Sequence, residues 1–167
     1  MTSVIRPARA DDVAAIVGLI GDLADYERAR HEVHITDAML HDALFGSEPA
    51  VFAHVATVEG DVVGFALWFL TFSTWVGRHG IYLEDLYVRP EHRGAGHGRA
   101  LLAALAAIAV ERGYGRVEWA VLDWNEPALG FYRELGAVTL DEWRTHRLTG
   151  AALGRLAAGA DGYDPAP

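Results

Sequence analysis

Residues 82 to 99, Tyr82-Leu-Glu-Asp-Leu-Tyr-Val-Arg-Pro-Glu-His-Arg-Gly-Ala-Gly-His-Gly-Arg99, lead from an apolar strand pattern through a glycine-rich basic loop into a helical pattern. A helix start leaves several backbone N–H groups unpaired and carries the positive end of the helix dipole. Glycines at that point let an anion approach the backbone closely, so the stretch is organised to hold phosphate. Arg93, Arg99, His92 and His97 add donors around it. Two common phosphate motifs are excluded. A dinucleotide fingerprint starting at Gly94 and Gly96 would need its third glycine where Arg99 stands, and a nucleoside-triphosphate loop would need a Lys that does not follow Gly98.

What remains is Arg93-x-x-Gly96-x-Gly98, and this loop resembles the pyrophosphate-binding pattern of the GNAT acyltransferases. A second segment, Asp123-Trp-Asn-Glu-Pro-Ala-Leu-Gly-Phe-Tyr-Arg-Glu-Leu-Gly-Ala137, resembles the following motif of that superfamily, an Asn ahead of a helix that carries a Phe-Tyr pair and ends in Gly. The wording Tyr-Leu-Glu-Asp-Leu-Tyr-Val, then Trp-Asn-Glu-Pro, then Glu142-Trp143-Arg144 is closest to the spermidine/spermine branch, the diamine acetyltransferases. The similarity runs from about Ile5 to about Leu148. It implies an α/β GNAT acyl-CoA N-acyltransferase fold, a mixed and mostly antiparallel sheet flanked by helices, with acetyl-CoA as co-substrate. It also implies a homodimer, by analogy with relatives.

Composition is consistent with one soluble enzyme domain over residues 1–167, with 150–167 as a C-terminal extension. A chain of 167 residues, 51% hydrophobic, can bury one sizeable core. The longest apolar runs, Val62 to Leu70 and Leu101 to Val110, fall short of the roughly 20 residues that a membrane span needs. No apolar segment of signal-peptide length opens the chain, so the expected location is cytoplasmic and no membrane partner is expected. A net charge of −9 disfavours nucleic acid and suits a cationic acceptor. Cysteine is absent, which excludes an acetyl-cysteine intermediate, and the three serines lie in no nucleophile-elbow context. Acyl transfer should then be direct or use a less usual nucleophile. His31, His34 and His41 match no metal-ligand spacing, and no metal is expected.

Periodicity predicts an amphipathic helix from Asp11 to near Arg30 and a shorter one over 37–44 capped by Thr36. Val51 to Val58 and Val62 to Phe72 read as strands joined by a Glu59-Gly60-Asp61 turn, and Ile81 to Val88 as the next strand. A helix from about Gly94 to Arg112, a strand over Gly115 to Leu122 and a short helix over Pro127 to Leu135 follow. Val138 to Leu140 and Trp143 to Leu148 read as a final hairpin, 150–159 as a weak helix and Asp161 to Pro167 as a loose tail.

An alkylammonium cannot attack a thioester until it loses its proton. Glu84 and Asp85 stand in mid-strand, where alternation lets one of the two face a cleft unless the strand is bulged. By resemblance, Glu84 is the base, acting through ordered water, and Asp85 binds the amine. Glu27, at the end of the first helix, is a candidate amine contact or a solvated helix end. Trp75 either packs on the acceptor chain or is structural. The acidic residue that precedes this Trp in the animal enzymes is replaced here, Ser73-Thr74 standing for Asp-Pro. Tyr132 matches the family tyrosine that protonates the departing thiolate. Asn125 matches a contact to the pantetheine arm and can also cap its helix. The remaining cofactor contacts fall to the backbone of Leu86, Tyr87 and Val88 and to the loop Arg93, Gly94, Ala95, Gly96, His97, Gly98 and Arg99. The acceptor is a small-molecule amine. A non-catalytic acyl-CoA-binding domain and a peptide acetyltransferase are the alternatives.

Overall fold

Alternating apolar residues over 52–88 build the centre of a five-stranded sheet, described with the rest of residues 3–160 in a computed structural model. The strands are β1 (Ser3–Pro7), β2 (Phe52–Val58), β3 (Asp61–Ser73), β4 (Arg78–Val88) and β5 (Val117–Trp119), in that spatial order. The first three pairings are antiparallel, and β5 joins β4 in parallel. The mixed, mostly antiparallel sheet expected from the sequence is therefore present. Glu59 and Gly60 take the positive φ values, +52° and +98°, that the two-residue β2–β3 turn requires.

Helices α1 (Val13–Tyr26), α2 (Asp37–Phe45) and α3 (His97–Glu111) flank the sheet. The α1 stripe of Val13, Ile16 and Leu19 packs with Leu40 of α2 onto Val55, Phe65 and Leu67, where Ile16, Leu19 and Phe65 are wholly buried. Burying each such side chain is worth about 1.5–3 kcal/mol. The buried residues of α3, Leu101, Leu102, Leu105 and Ala109, belong to a separate packing layer although α3 touches β1 to β5. Thr36 caps α2 as its sequence predicts, its hydroxyl accepting from the Met39 N–H at 3.3 Å.

Strand β1, which the sequence reading did not assign, is held to the start of α1 by a half-buried ion pair. Arg6 donates to Asp12 Oδ2 at 2.6 Å and Oδ1 at 2.9 Å, and the Arg9 N–H adds a third bond at 2.7 Å. These donors, led by Arg6, hold the Asp12 carboxyl below its ordinary range against the opposing effect of burial. A lowered folded pKa means that the stabilisation is complete above the unfolded value and disappears as pH falls through the folded one. Asp12→Asn should therefore cost about 3 kcal/mol at neutral pH. Thermal unfolding should register it as a fall of about 6–12 °C, and the difference from the parent protein should close as pH falls below the ordinary carboxylate range.

The described residues form two compact units that divide after Ala120. The second contains α4 (Glu126–Glu134) and α5 (Gly150–Ala157). The hairpin expected over 138–148 is not formed. Val138, Trp143 and Leu148 are 81%, 66% and 45% exposed, and no ladder involves them among the described residues. Their β-branched and aromatic character suits a strand, but a strand needs a hydrogen-bonded neighbour and a face to bury, and this segment has neither. The loose tail expected over 161–167 lies outside the described residues. No helix among the described residues is long and apolar enough to cross a membrane.

Candidate active site

The glycine loop begins where β4 ends. A single helical turn over 90–92 leads to Gly94 and Gly96, whose φ values of +77° and +86° lie in the left-handed region that glycine favours. A Cβ at either position would meet nothing within 4 Å, so these glycines serve backbone conformation and leave open space on the loop's outer side. Gly96 is the N-cap of α3, no side chain caps that end, and no acidic residue stands in its first turn. The N–H groups of His97, Gly98 and Arg99 have no carbonyl four residues back within the helix, and Arg99 is exposed beside them. Uncapped donors, open space and local positive charge fit a diphosphate such as that of coenzyme A.

Two side chains of the loop are used internally. His97 is buried and its Nδ1 lies 3.1 Å from Ser3 Oγ, so its ring ties α3 to β1 and its backbone N–H is what faces the loop. This differs from the phosphate donor that the sequence suggests, and the reason is that Ser3, 94 residues away, supplies the partner. Arg93 donates from Nε to the Val88 carbonyl at 2.9 Å, and its guanidinium lies 5.3 Å from the ring centroids of both Tyr26 and Tyr87. Tyr26 stands at the end of α1, where the sequence marks it weakly. Its only signal there is an aromatic residue adjoining Glu27.

Strand β4 is open along part of one edge. Its parallel pairing with β5 covers Ile81, Tyr82 and Leu83 and then stops. The Arg89 N–H bonds Val63 O at 2.9 Å, so antiparallel alternation directs the backbones of Tyr87 and Asp85 to their β3 partners Phe65 and Leu67. The backbone groups of Leu86 and Val88 consequently point off β3 on the side that β5 leaves uncovered. That is the geometry a pantetheine arm needs to add itself as a strand, although Arg93 already occupies one lone pair of Val88 O. Tyr87, expected among these contacts, has its ring in the core and its backbone against Phe65, so this geometry offers no contact from it.

Glu84 is the extra residue of a β-bulge, since Leu67 opposes Asp85 while Trp68 opposes Leu83. The bulge breaks the alternation that would otherwise separate the two carboxylates. Glu84 is exposed, whereas Asp85 is half-buried and its carboxyl is pushed up to about 6, first by burial and then by the charges of Glu84 and Glu27. Glu27 is also half-buried and raised by burial. Three carboxylates from α1's end and the β4 bulge thus form one electrostatic cluster. Tyr82 borders it, its phenol raised by burial and then by Glu84 and Glu118. Trp75 is not brought to this cluster. It is 89% exposed at the tip of the β3–β4 hairpin, and the run of β4 from Arg78 to Glu84 puts it about 20 Å away.

In the second unit, Asn125 caps α4, its Oδ1 accepting from the Ala128 N–H at 3.4 Å. Pro127 stands in the first turn and Gly136, at φ +81°, follows the last. Tyr132 is half-buried on this helix. Phe131 beside it is also half-buried, with its ring centroid 5.3 Å from that of Tyr132. A helix of nine residues with no fully buried position offers no deeper place for it.

The Acetyltransferase (GNAT) family matches residues 16–137. The chain is 38% identical over 164 residues to the thialysine N-epsilon-acetyltransferase of Bos taurus, covering 92% of this chain and 96% of that one. It is 32% identical to the spermidine/spermine N(1)-acetyltransferase-like protein 1 of Homo sapiens, over 81% of this chain and 20% of that protein. A solved structure, an integron cassette protein from the mobile metagenome of V. cholerae, matches the fold with a TM-score of 0.78 at 27% identity, covering 94% of this chain and 98% of that one. With the phosphate loop, the half-open fourth strand and these matches in agreement, the chain belongs to the GNAT family of acetyltransferases.

Proposed function

We propose that this enzyme transfers the acetyl group of acetyl-CoA to the primary amine of a small cationic molecule, a diamine, polyamine or lysine analogue such as thialysine, by direct attack in a ternary complex. The observation that carries this reading is the convergence of Glu27, Glu84 and Asp85 beside the β4 edge that β5 leaves uncovered. Three neighbouring carboxylates repel one another, and an arriving ammonium relieves that repulsion. A carboxyl near 6 accepts a proton at neutral pH better than an ordinary one does. We therefore assign proton acceptance to Asp85 and orientation of the ammonium to Glu84, exchanging the roles expected from sequence.

The amine nitrogen then attacks the thioester carbon, the C–N bond forms, and collapse of the tetrahedral species breaks the C–S bond. Tyr132 supplies the proton that the departing thiolate takes up, a role supported by its place in the motif. The diphosphate rests on the α3 N-terminus, with Arg99 beside it. The reading of residues 1–167 as one catalytic domain is supported by a family match over 16–137 that runs across the division at Ala120. We also propose a cytoplasmic homodimer, supported by apolar residues such as Val138 and Trp143 that the monomer leaves exposed.

Thiol release from acetyl-CoA across spermidine, spermine, putrescine, lysine and thialysine tests the proposal, and a cysteine-free protein adds no background to a thiol reagent. Turnover with one or more of these amines is the expected outcome. No release with any of them, despite tight coenzyme A binding, would remove the small-amine reading.

A further inference from the structure

A cavity of about 360 Å³ opens between the C-terminal half of α3, the end of α2 and strands β1 to β3, lined in part by Phe45, Phe52, His54, Trp68, Ile108 and Arg112. That volume falls in the range of small-molecule sites. The cavity lies toward the end of α3 away from the glycine loop, about 15–20 Å along the helix axis. None of the residues assigned to acetyl transfer lines it.

One wall is aromatic, with the Phe52 and Trp68 rings stacked on each other. The Phe52 and Trp68 rings are 4.7 Å apart at 31°, and the His54 ring lies 6.2 Å from Trp68 at 30°. Such a pair meets an aromatic partner through its edges or an outer face. His54 is 9% exposed, and its Nδ1 accepts the Trp68 indole N–H at 3.2 Å. Burial favours its neutral form, and a neutral imidazole that accepts at Nδ1 carries its proton on Nε2. Nε2 has no hydrogen-bond partner among the described residues, so a nine-tenths buried side chain brings an unspent N–H donor to the cavity. At the rim, Arg112 is exposed and forms no ion pair with any described residue. No Asp or Glu lines the cavity.

The polar side chains of the cavity are therefore a donor within and a guanidinium at the mouth, set on aromatic walls. We propose that this cavity is a ligand site, separate from the acetyl-transfer site, for a small planar aromatic carboxylate whose ring packs against the Phe52–Trp68 pair. One carboxylate oxygen accepts from His54 Nε2 or the group reaches Arg112 at the rim. A cationic amine of the kind proposed for the active site would find neither an acceptor side chain nor a counter-charge here, so the two sites select opposite charges.

The test is a calorimetric titration of the whole protein with 2-naphthoate, with and without saturating coenzyme A, together with the Trp68 indole N–H resonance. Expected are one equivalent bound in both conditions, a shift of that resonance, and weaker binding of the uncharged 2-naphthol. The exposed Arg112→Glu variant should weaken naphthoate at least about tenfold and leave acetyl transfer unchanged. Absence of binding at millimolar naphthoate, displacement by coenzyme A, or equal affinity in Arg112→Glu would each overturn the assignment.

Discussion

Tyr132→Phe should lower kcat by about 10²–10⁴-fold, the span that a positioned proton donor contributes, while the Kd for coenzyme A changes by less than about threefold. The asymmetry follows from when the hydroxyl acts. A phenol ordinarily titrates near 10 and a thiol near 8.5, so a phenol stays protonated through binding and has a proton to give when the C–S bond breaks. Phe preserves the half-buried ring and its neighbour Phe131 and removes one oxygen atom. An interaction made in the transition state alone appears in kcat and not in ground-state affinity. Stopped-flow turnover and calorimetry on the same protein separate the two. Equal losses in both would make Tyr132 a binding residue.

Asp85→Asn should abolish the acidic limb of the kcat/KM profile and reduce the rate at pH 7 by about 10²-fold or more. In the parent enzyme that limb should fall near the value of about 6 to which burial, Glu84 and Glu27 raise the Asp85 carboxyl. The sign follows from the chemistry. A base works when deprotonated, so activity rises as pH passes upward through its pKa. Glu84→Gln removes one negative neighbour of Asp85, so it should move the limb to lower pH and keep its shape, with a higher KM for the amine. A limb that disappears in Glu84→Gln and persists in Asp85→Asn would return the base role to Glu84.

The loop was legible because its chemistry is local. Gly94 and Gly96 need positive φ, the helix behind them needs no cap if an anion is to bind, and all the residues involved lie within a few positions of one another. The Thr36 and Asn125 caps were legible for the same reason. The Glu84-Asp85 pair raised a question of strand parity that the sequence could pose and not answer. Its answer came from the bulge, which depends on how Leu67 and Trp68 of β3 pair with Asp85 and Leu83 of β4.

The inward turn of His97 shows the same limit from another side. Its partner Ser3 belongs to a strand at the other end of the chain, and no local pattern reports a contact across 94 residues. The expected hairpin over 138–148 failed in the opposite direction. Residues such as Val138 and Trp143 have the character of strand residues, but strand formation is a property of two segments and no second segment is in place among those described.

By itself the sequence determined the family, the phosphate loop, the helix caps and the residue types available for proton transfer, because backbone conformation and short spacings carry those. Tertiary structure decided which carboxyl is raised and which β4 groups are uncovered. It also decided where Arg93 and His97 spend their side chains, and that an aromatic cavity with an unpaired donor exists at the far end of α3. Desolvation, strand register and long-range hydrogen bonds are set by segments distant in the chain, so only the folded arrangement gives them values.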